Sequence, residues 1–300
     1  MKLGFIGLGQ MGKYCALNLL KNRGELHVND IDPEAVAFLI SHGAKKSDSN
    51  AELMSVCDIV FLCLPNGDIV EKVIFGEHGL AEGFEKGKII VDLTTADYQK
   101  TRETALRVEA LGVNFIDAPL SGMEARAKTG QLSVMCGGKK NVFDVVSTYL
   151  DDIGSSVLFL GEYGSGQLAK MINNVLYNIN MAALAEILPF AVKMGLAPEK
   201  VGTLVNAGTG RSCASEYFIP KILERDFVYG FTMDSAYKDM QSASVISAKM
   251  KIPTPVLHAA MTTYQMTLLE GWGQEYKGAM IKVYEKLLGV KFSKNVEMIS

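Results

Sequence analysis

The hydrophobic positions follow two different periods in the first half of the chain. Short continuous apolar runs alternate with longer segments in which apolar residues recur every three or four positions. Such short runs are typical of strands buried on both faces, and the longer period is typical of helices. The pattern predicts strands at 2–7, 26–29, 58–64, 88–92, 114–117, 132–135 and 157–160, with helices at 11–22, 33–42 and 96–111.

An alternation of apolar strands and helices indicates a parallel sheet with helices on both faces. After residue 160 the strand pattern stops, and a glycine-rich segment at 161–166 opens a helical pattern that continues to about residue 194, with Pro189 as a candidate kink. Further helices are predicted at 197–206, 212–225, 235–251, 255–269 and 278–288. We therefore predict an α/β fold: a doubly wound parallel-sheet domain over 1–162, followed by an all-helical domain over 163–300.

Composition and charge exclude several other classes of protein. The 300 residues are 48% hydrophobic, which is enough for a buried core, and the net charge of −3 gives no basic footprint for nucleic acid. No unbroken apolar run reaches the ~18 residues that a membrane-spanning helix needs. The five cysteines lack C-x-x-C spacing and the four histidines are scattered. Reduced thiols, a cytoplasmic location and no metal site are therefore expected.

A glycine-rich motif lies between the first predicted strand and the first predicted helix, where Gly7, Gly9 and Gly12 form the pattern G-x-G-x-x-G. In such a unit the first two glycines permit a tight turn and the close approach of a pyrophosphate, and the third lets the helix pack on the strand. The helix N-terminus adds unpaired N–H groups and a partial positive charge. The motif predicts a Rossmann-type dinucleotide site that includes Gly7, Gly9, Gln10, Met11 and Gly12.

Asp30 ends the second predicted strand, eighteen residues after Gly12. A carboxylate at this position hydrogen-bonds the adenosine ribose hydroxyls and repels a 2′-phosphate, which favours NAD over NADP. The alternative is that Asp30 only caps the following helix. Asp32, directly before Pro33, is the better candidate for that cap.

Two later turns are expected to line the same site, because ligands bind beyond the carboxyl ends of parallel strands. These turns follow the predicted strands at 58–64 and 88–92, and they contain Leu64, Pro65 and Thr95. Thr95 is the natural hydroxyl donor toward a cofactor in the second turn. The alternative is that Thr95 caps the helix that follows.

Three further segments carry chemically useful side chains in a fixed order. Residues 117–122 read D-A-P-L-S-G, residues 164–174 read G-S-G-Q-L-A-K-M-I-N-N, and Lys238 precedes Asp239. With the glycine motif, these segments resemble the β-hydroxyacid dehydrogenases over the whole chain, the family of 3-hydroxyisobutyrate dehydrogenase and tartronate semialdehyde reductase. The resemblance implies hydride transfer between NAD(H) and a small β-hydroxy acid or its semialdehyde, in a homodimer or homotetramer.

The resemblance also implies roles for individual residues. Lys170 corresponds to the catalytic acid/base, and Asn174 to a residue at the substrate hydroxyl, with Asn173 beside it in the substrate site. Lys238 corresponds to a residue at the nicotinamide end, where it would contact both substrate and cofactor.

The turn at Ser121 and Gly122 corresponds to the part of the family site that binds the substrate carboxylate. The chain departs from the family pattern at the next position, Met123, where many members have a second glycine. This departure falls in the expected substrate pocket.

The spacing of Lys170 and Asn174 supports their roles independently, because residues four apart lie on the same face of a helix. Oxidation of an alcohol needs a base for the hydroxyl proton, and a lysine can serve when burial and a neighbouring cation bring its pKa to about 7–8. Lys238 is the candidate for that cation. The alternatives are a solvated helix lysine at position 170 and an interhelical hydrogen bond at Asn174.

Two arginines are further candidates for binding a second anionic group on the substrate. Arg126 follows the turn at Gly122, and Arg211 lies at 208–212 between two predicted helices. Either guanidinium could pair bidentately with a carboxylate. An ordinary surface arginine is the alternative for both.

The predicted protein is thus an NAD-dependent dehydrogenase or reductase whose partner is a small anionic substrate, not nucleic acid or a membrane. The candidate substrates are 3-hydroxyisobutyrate, 2-(hydroxymethyl)glutarate and tartronate semialdehyde. Alternatives on the same scaffold are a sulfolactaldehyde reductase and an imine reductase; relatives of the second kind usually lack a lysine at position 170. A dinucleotide-binding module without catalysis is expected to replace that lysine and to carry a basic extension.

Overall fold

The computed structural model describes residues 1–228 and 231–294. The chain divides into two compact units, Met1–Lys170 and Met171–Ser300. The first unit therefore extends past the boundary predicted at residue 162 and includes the first turns of a long helix. The predicted assignment of one domain to the cofactor and the other to the substrate and to oligomerisation stays a prediction.

The first unit is built on one mixed sheet whose strand order is β3-β2-β1-β4-β5-β6-β8-β7, with β9 paired to β8. The strands β1 to β6 are mutually parallel where they pair. Because β2 and β4 lie on opposite sides of β1, the chain changes direction across the sheet at β1, as in a doubly wound fold. The strands are β1 Leu3–Ile6, β2 His27–Asn29, β3 Lys45–Lys46, β4 Ile59–Leu62, β5 Ile89–Asp92, β6 Asn114–Asp117, β7 Leu120–Ser121, β8 Leu132–Gly138 and β9 Gly154–Gly161.

Strand β8 is the exception to parallel pairing, because it runs antiparallel to both β6 and β7. Only residues 122–131 connect β7 to β8, and a parallel connection needs a crossover of about a dozen residues or more. The expectation of a parallel sheet is therefore correct for β1 to β6 and wrong for the pairings of β8 with β6 and β7.

The helices of the first unit cover both faces of the sheet, as predicted. Phe5 and Phe61 belong to the core on one face, whereas Val60 and Leu62 belong to a second core on the other. This alternation within neighbouring strands follows from the period of two in a strand. The helices are α1 Gly12–Arg23, α2 Pro33–Ser41, α3 Asn50–Val56, α4 Gly67–Phe75, α5 Tyr98–Ala110, α6 Met123–Lys128 and α7 Lys140–Leu150, with a 3-10 turn at Leu80–Gly83.

Helix caps answer two questions that the sequence left open. Asp32 caps α2, since its side chain accepts a hydrogen bond from Glu34 N at 2.9 Å and Pro33 occupies the first turn. The cap of α5 is Asp97, which accepts from the backbone N–H groups of the first turn. Thr95 is therefore not the cap of that helix.

The second unit is helical in the part that the structure describes, around a core that includes Met181, Phe218, Met240, Tyr264 and Ile281. The methionines serve there as flexible core side chains. The elements are α8 Ser165–Lys193, which begins in the first unit, then α9 Pro198–Ala207, α10 Cys213–Leu223, α11 Met233–Lys249, α12 Pro255–Leu269, a 3-10 turn at Lys277–Met280 and α13 Ile281–Leu288.

Helix α8 is long and apolar enough to cross a membrane by length and composition alone. Core helices of globular proteins pass the same test, and 33% of the most apolar window of α8 is buried within the protein. Met181, Ala185 and Leu188 of this helix belong to the core of the second unit. One face of α8 therefore packs in the core of the second unit.

Candidate active site

The loop between β1 and α1 is packed so tightly that two of its glycines have no room for a side chain. A Cβ atom at Gly7 would lie 2.2 Å from the carbonyl oxygen of Cys63, and Gly7 has a positive φ of 95°. A Cβ atom at Gly12 would lie 1.8 Å from the carbonyl oxygen of Gly7. Gly7 therefore permits the turn, and Gly12 lets α1 approach the end of β1.

Gly9 is in a different situation, because a Cβ atom there would meet no atom within 4 Å. Its backbone is exposed, and α1 begins directly after the loop with no side-chain cap and no acidic residue in its first turn. An uncapped helix N-terminus beside an open glycine backbone is the arrangement that a pyrophosphate requires. The residues present therefore fit a dinucleotide.

Asp30 lies against this loop. Its Oδ2 accepts a hydrogen bond from Leu8 N, and its Oδ1 accepts one from Asp32 N at 2.8 Å. The carboxylate thus holds the glycine-rich loop at the carboxyl end of β2, where a ribose binds in this class of fold. Gln10, on the other side of the loop, donates from Nε2 to Glu124 Oε2 at 2.9 Å.

The turns after β4 and β5 are joined by side chains that the sequence did not single out. Leu64 N donates to Thr94 Oγ1 at 3.0 Å, and Thr94 N donates to Asp92 Oδ1 at 3.0 Å. Asp92 is buried, and this burial raises the pKa of its carboxyl group to about 7. Thr95 and Pro65, which neighbour these hydrogen-bonded residues, are exposed at the carboxyl ends of β5 and β4.

The D-A-P-L-S-G segment runs from the end of β6 into β7. Gly122 has a φ of 141°, and a Cβ atom there would lie 3.0 Å from Leu132 Cδ2 and 3.1 Å from Arg126 Cβ. Met123 follows with a φ of 60°, a left-handed conformation that costs a methionine about 1–2 kcal/mol, and its side chain is half exposed. The turn at Ser121 and Gly122 therefore needs a glycine, and it presents a thioether side chain beside it.

The first turn of α8 is attached to the carboxyl edge of the sheet by a buried carboxylate. Asp117 Oδ1 accepts from Gly164 N at 2.7 Å, and Asp117 Oδ2 accepts from Gln167 N at 3.1 Å. Burial raises the pKa of Asp117, and these backbone donors act in the opposite direction. Lys170 follows Gln167 by less than one helical turn and is half-buried. The turn that carries Lys170 therefore begins at the carboxyl end of β6, the same end of the parallel strands as the glycine-rich loop after β1.

Asn174, one turn further along α8, donates from Nδ2 to Asp239 Oδ2 on α11 at 2.8 Å. The interhelical hydrogen bond that was the structural alternative for this residue is therefore present, and it also fixes the orientation of the amide. Asn173 is exposed, as is Lys238, which directly precedes Asp239.

The two candidate arginines lie on the surface. Arg126 is exposed on α6, and Arg211 is exposed and lies 3.6 Å from the carboxylate of Glu216. Both positions fit the alternative that these residues are ordinary surface arginines. Across residues 1–228 and 231–294, no group of three or more histidine, cysteine, aspartate or glutamate side chains is arranged to hold a metal ion.

A doubly wound sheet with an open glycine-rich loop, followed by a helical unit, is typical of nicotinamide dinucleotide-dependent oxidoreductases. Residues 2–161 match the NAD-binding domain of 6-phosphogluconate dehydrogenase, and residues 164–284 match the NAD-binding domain of NADP-dependent 3-hydroxyisobutyrate dehydrogenase. The chain belongs to the β-hydroxyacid dehydrogenase family. It is a dehydrogenase or reductase of the 3-hydroxyisobutyrate dehydrogenase and tartronate semialdehyde reductase type.

Relatives of known activity match nearly the whole chain. A 2-(hydroxymethyl)glutarate dehydrogenase of Eubacterium barkeri is 36% identical, with 98% of each chain covered. A 2-hydroxy-3-oxopropionate reductase of Escherichia coli is 32% identical, with 98% of this chain and 100% of the relative covered. Among solved structures, a 3-hydroxyisobutyrate dehydrogenase from Salmonella typhimurium superposes with a TM-score of 0.85 at 26% identity, covering 94% of this chain and 99% of that one.

Substitution of the loop glycines by alanine separates cofactor binding from folding. Because a Cβ at Gly9 meets no protein atom, Gly9→Ala should keep the melting temperature of the unaltered protein and weaken dinucleotide binding at least tenfold, ~1.4 kcal/mol. Gly12→Ala should lower the melting temperature as well, because its Cβ collides with the carbonyl of Gly7. Calorimetry and dinucleotide titration measure the two effects. Unchanged dinucleotide affinity in Gly9→Ala would contradict the placement of the pyrophosphate.

Proposed function

We propose that the protein transfers a hydride between NAD(H) and a small β-hydroxy acid or its semialdehyde, with Lys170 as the general acid/base. The observation that supports this most directly is the attachment of the first turn of α8 to the turns at the carboxyl ends of β5 and β6. This attachment holds Lys170 at the edge of the sheet where dinucleotides bind in doubly wound folds.

A bound nicotinamide dinucleotide supplies the hydride acceptor or donor at C4 of its ring. In oxidation, the Lys170 amine takes the hydroxyl proton as the hydride leaves carbon; in reduction, the Lys170 ammonium gives a proton to the developing alkoxide. Asn174 holds the hydroxyl region of the substrate, with Asn173 beside it. Lys238 adds positive charge near the nicotinamide end.

The substrate carboxylate is placed in this proposal at the turn of Ser121 and Gly122. A turn with a φ of 141° at Gly122 brings backbone close to a ligand without an intervening side chain. The half-exposed Met123 then borders the remainder of the substrate. Arg126 and Arg211 are the candidates for contact with a second anionic group on the substrate.

The acid itself belongs to the class of 3-hydroxyisobutyrate, 2-(hydroxymethyl)glutarate and tartronate semialdehyde. The relatives named for the second and third of these substrates are 36% and 32% identical to this chain, which supports the class without selecting a member. A panel of these acids and semialdehydes, followed by NADH absorbance, identifies the preferred one.

The alternative activities differ in what they need from Lys170. Reduction of an imine needs no proton donor to an alkoxide, and the likeness to imine reductase structures at 14–16% identity concerns the fold alone. A sulfolactaldehyde reductase would keep the lysine, so the same substrate panel with sulfolactaldehyde added separates it. A binding module without catalysis would show no turnover on any member of the panel.

A homodimer or homotetramer is a second part of the proposal, and it is supported by an exposed apolar stripe along α8 and the residue after it. Exposed apolar residues recur there at helical spacing in two groups, and exposed apolar surface on one side of a helix is typical of an interaction site. The stripe consists of Ile172, Leu176, Ile187, Phe190 and Met194, which are between 52% and 67% exposed.

We place the protein in the cytoplasm as part of the same proposal. Its cysteines are free thiols, and burial raises the pKa of Cys136 to about 12, which keeps that thiol protonated and unreactive. Fractionation of cells with an antibody to the protein tests the location, and recovery in a membrane or extracellular fraction would contradict it.

Replacement of Lys170 tests the proposed mechanism. Lys170→Ala should keep dinucleotide affinity and lower turnover by about 10²–10⁴, the usual contribution of a general acid/base. Lys193→Ala, in the last turn of the same helix, is the matched control and should keep full turnover. A Lys170→Ala protein that loses less than about tenfold would refute the assignment.

Cofactor preference follows from the charge of Asp30. The unaltered protein should bind NADH at least about tenfold more tightly than NADPH. Asp30→Asn should reduce that ratio because the amide lacks the negative charge; its single oxygen keeps one of the two backbone acceptors of Asp30, for Leu8 N or for Asp32 N. Asp32→Asn is the control, since asparagine caps α2 equally well. Fluorescence titration measures both ratios. Tighter binding of NADPH by the unaltered protein would overturn the NAD assignment.

The oligomer depends on the apolar stripe of α8. Light scattering coupled to gel filtration should give the mass of two or four chains for the unaltered protein, and Ile187→Glu with Phe190→Glu should shift it toward one chain. Lys193→Glu, at the end of the same helix, should leave the assembly intact. A monomer of 32.6 kDa for the unaltered protein at tens of micromolar would exclude this proposal.

A further inference from the structure

Gln167 is a buried amide whose two ends both contact the turn after β5. Its Nε2 donates to the carbonyl oxygen of Thr94 at 2.7 Å, and its Oε1 accepts from the backbone N–H of Ala96 at 3.0 Å. The residue is 2% exposed. A buried amide whose two hydrogen bonds go to the same backbone segment holds that segment in place, because losing either bond leaves a buried group unsatisfied.

These two hydrogen bonds lie on either side of Thr95. The carbonyl that precedes Thr95 and the N–H that follows it are therefore both held by the same side chain. Thr95 itself remains exposed at the carboxyl end of β5. Gln167 thus holds the backbone on both sides of Thr95, the residue that the sequence analysis expects to donate to the cofactor.

The backbone of Gln167 is held just as firmly on the other side. Its N–H donates to Asp117 Oδ2 at 3.1 Å, beside the bond from Gly164 to the same carboxylate. Gly166 packs against the sheet with no room for a side chain, since a Cβ there would lie 2.2 Å from the carbonyl oxygen of Met135 and 2.8 Å from Asp117 Oδ2. The first turn of α8 is therefore fixed to β6 and β8, and its side chain at 167 fixes the turn after β5.

We propose that Gln167 is a positioning residue that sets the distance between the cofactor-binding turn at Thr95 and Lys170, three residues further along the same helix. This inference rests on the proposed function. Gln167 does not touch the reacting atoms; it acts through Thr95 and through the helix. A general acid/base misplaced by about 1 Å loses up to about a hundredfold in rate, so the effect of this residue falls on turnover.

Two substitutions test the proposal, because they remove different parts of the amide. Gln167→Met keeps the volume and removes both hydrogen bonds; it should lower kcat by about tenfold to a hundredfold with a smaller change in KM. Gln167→Glu keeps the acceptor for Ala96 N, and it keeps a donor to the Thr94 carbonyl only while the new carboxyl group is protonated. Its activity relative to the unaltered protein should therefore rise as the pH falls.

The direction of this pH effect follows from the surroundings of residue 167. In Gln167→Glu the new carboxyl group would be buried near Asp92 at the end of β5 and Asp117 at the end of β6, with Lys170 less than a turn away on α8. Burial and the two neighbouring carboxyl groups disfavour its ionised form. The kcat of each variant is divided by the kcat of the unaltered protein at the same pH. This ratio removes the effect that titration of Asp92, Asp117 and Lys170 has on both proteins. For Gln167→Met this ratio should not depend on pH.

Hydrogen exchange supplies a readout that needs no cofactor or substrate. In Gln167→Met the amide of Ala96 should exchange at least tenfold faster than in the unaltered protein, and in Gln167→Glu it should be protected. Gln131→Met, at an exposed glutamine, is the control and should change neither exchange nor kcat. A pH-independent ratio in Gln167→Glu, or a kcat in Gln167→Met within about twofold of the unaltered value, would overturn the positioning role. Absence of any dinucleotide-dependent turnover in the unaltered protein would instead overturn the proposed function, while the exchange result at Ala96 would still stand.

Discussion

The structure depends on the attachment of the first turn of α8 to the carboxyl edge of the sheet. Asp117 accepts hydrogen bonds from the backbone N–H groups of Gly164 and Gln167. The side chain of Gln167 donates one hydrogen bond to the turn after β5 and accepts another from it. Burying a carboxyl group is unfavourable, and the raised pKa of Asp117 reflects that cost. The backbone donors offset part of it. Because Lys170 follows in the same helix, these four hydrogen bonds and the close packing of Gly166 on Met135 help to hold the turn that carries it at the carboxyl end of β6.

The glycine-rich loop shows why local sequence predicts some features well. Gly7 and Gly12 are needed because their missing side chains let backbone segments approach, a requirement that is visible in the spacing of the motif itself. The same holds for the cap at Asp32 before Pro33, and for α12, whose bounds of 255–269 coincide with the apolar pattern. In each case the determining residues are neighbours in the chain.

Features that depend on residues far apart in the chain were not predicted from the sequence. The antiparallel pairing of β8 is a long-range choice. The helices α3, α4, α6 and α7 were also not predicted; α3 and α6 have only seven and six residues in which to show a period, whereas α7 has eleven. The partners of Gln167 are 71 and 73 residues away, and nothing in its own segment indicates them. Asp92 likewise gave no signal beyond its place at the end of a strand. The roles of the predicted site residues remain predictions. The hydrogen bonds of Asp117 and Gln167 that hold the turn before Lys170 are visible only in the structure.

The proposed mechanism requires the Lys170 amine to meet the substrate hydroxyl beside the nicotinamide ring. A crystal structure with dinucleotide and a β-hydroxy acid both bound is the decisive measurement. We expect Lys170 Nζ within hydrogen-bonding distance of the hydroxyl oxygen, about 2.7–3.2 Å, with the reacting carbon facing C4 of the ring. An amine that points into bulk solvent, away from C4, would contradict the mechanism.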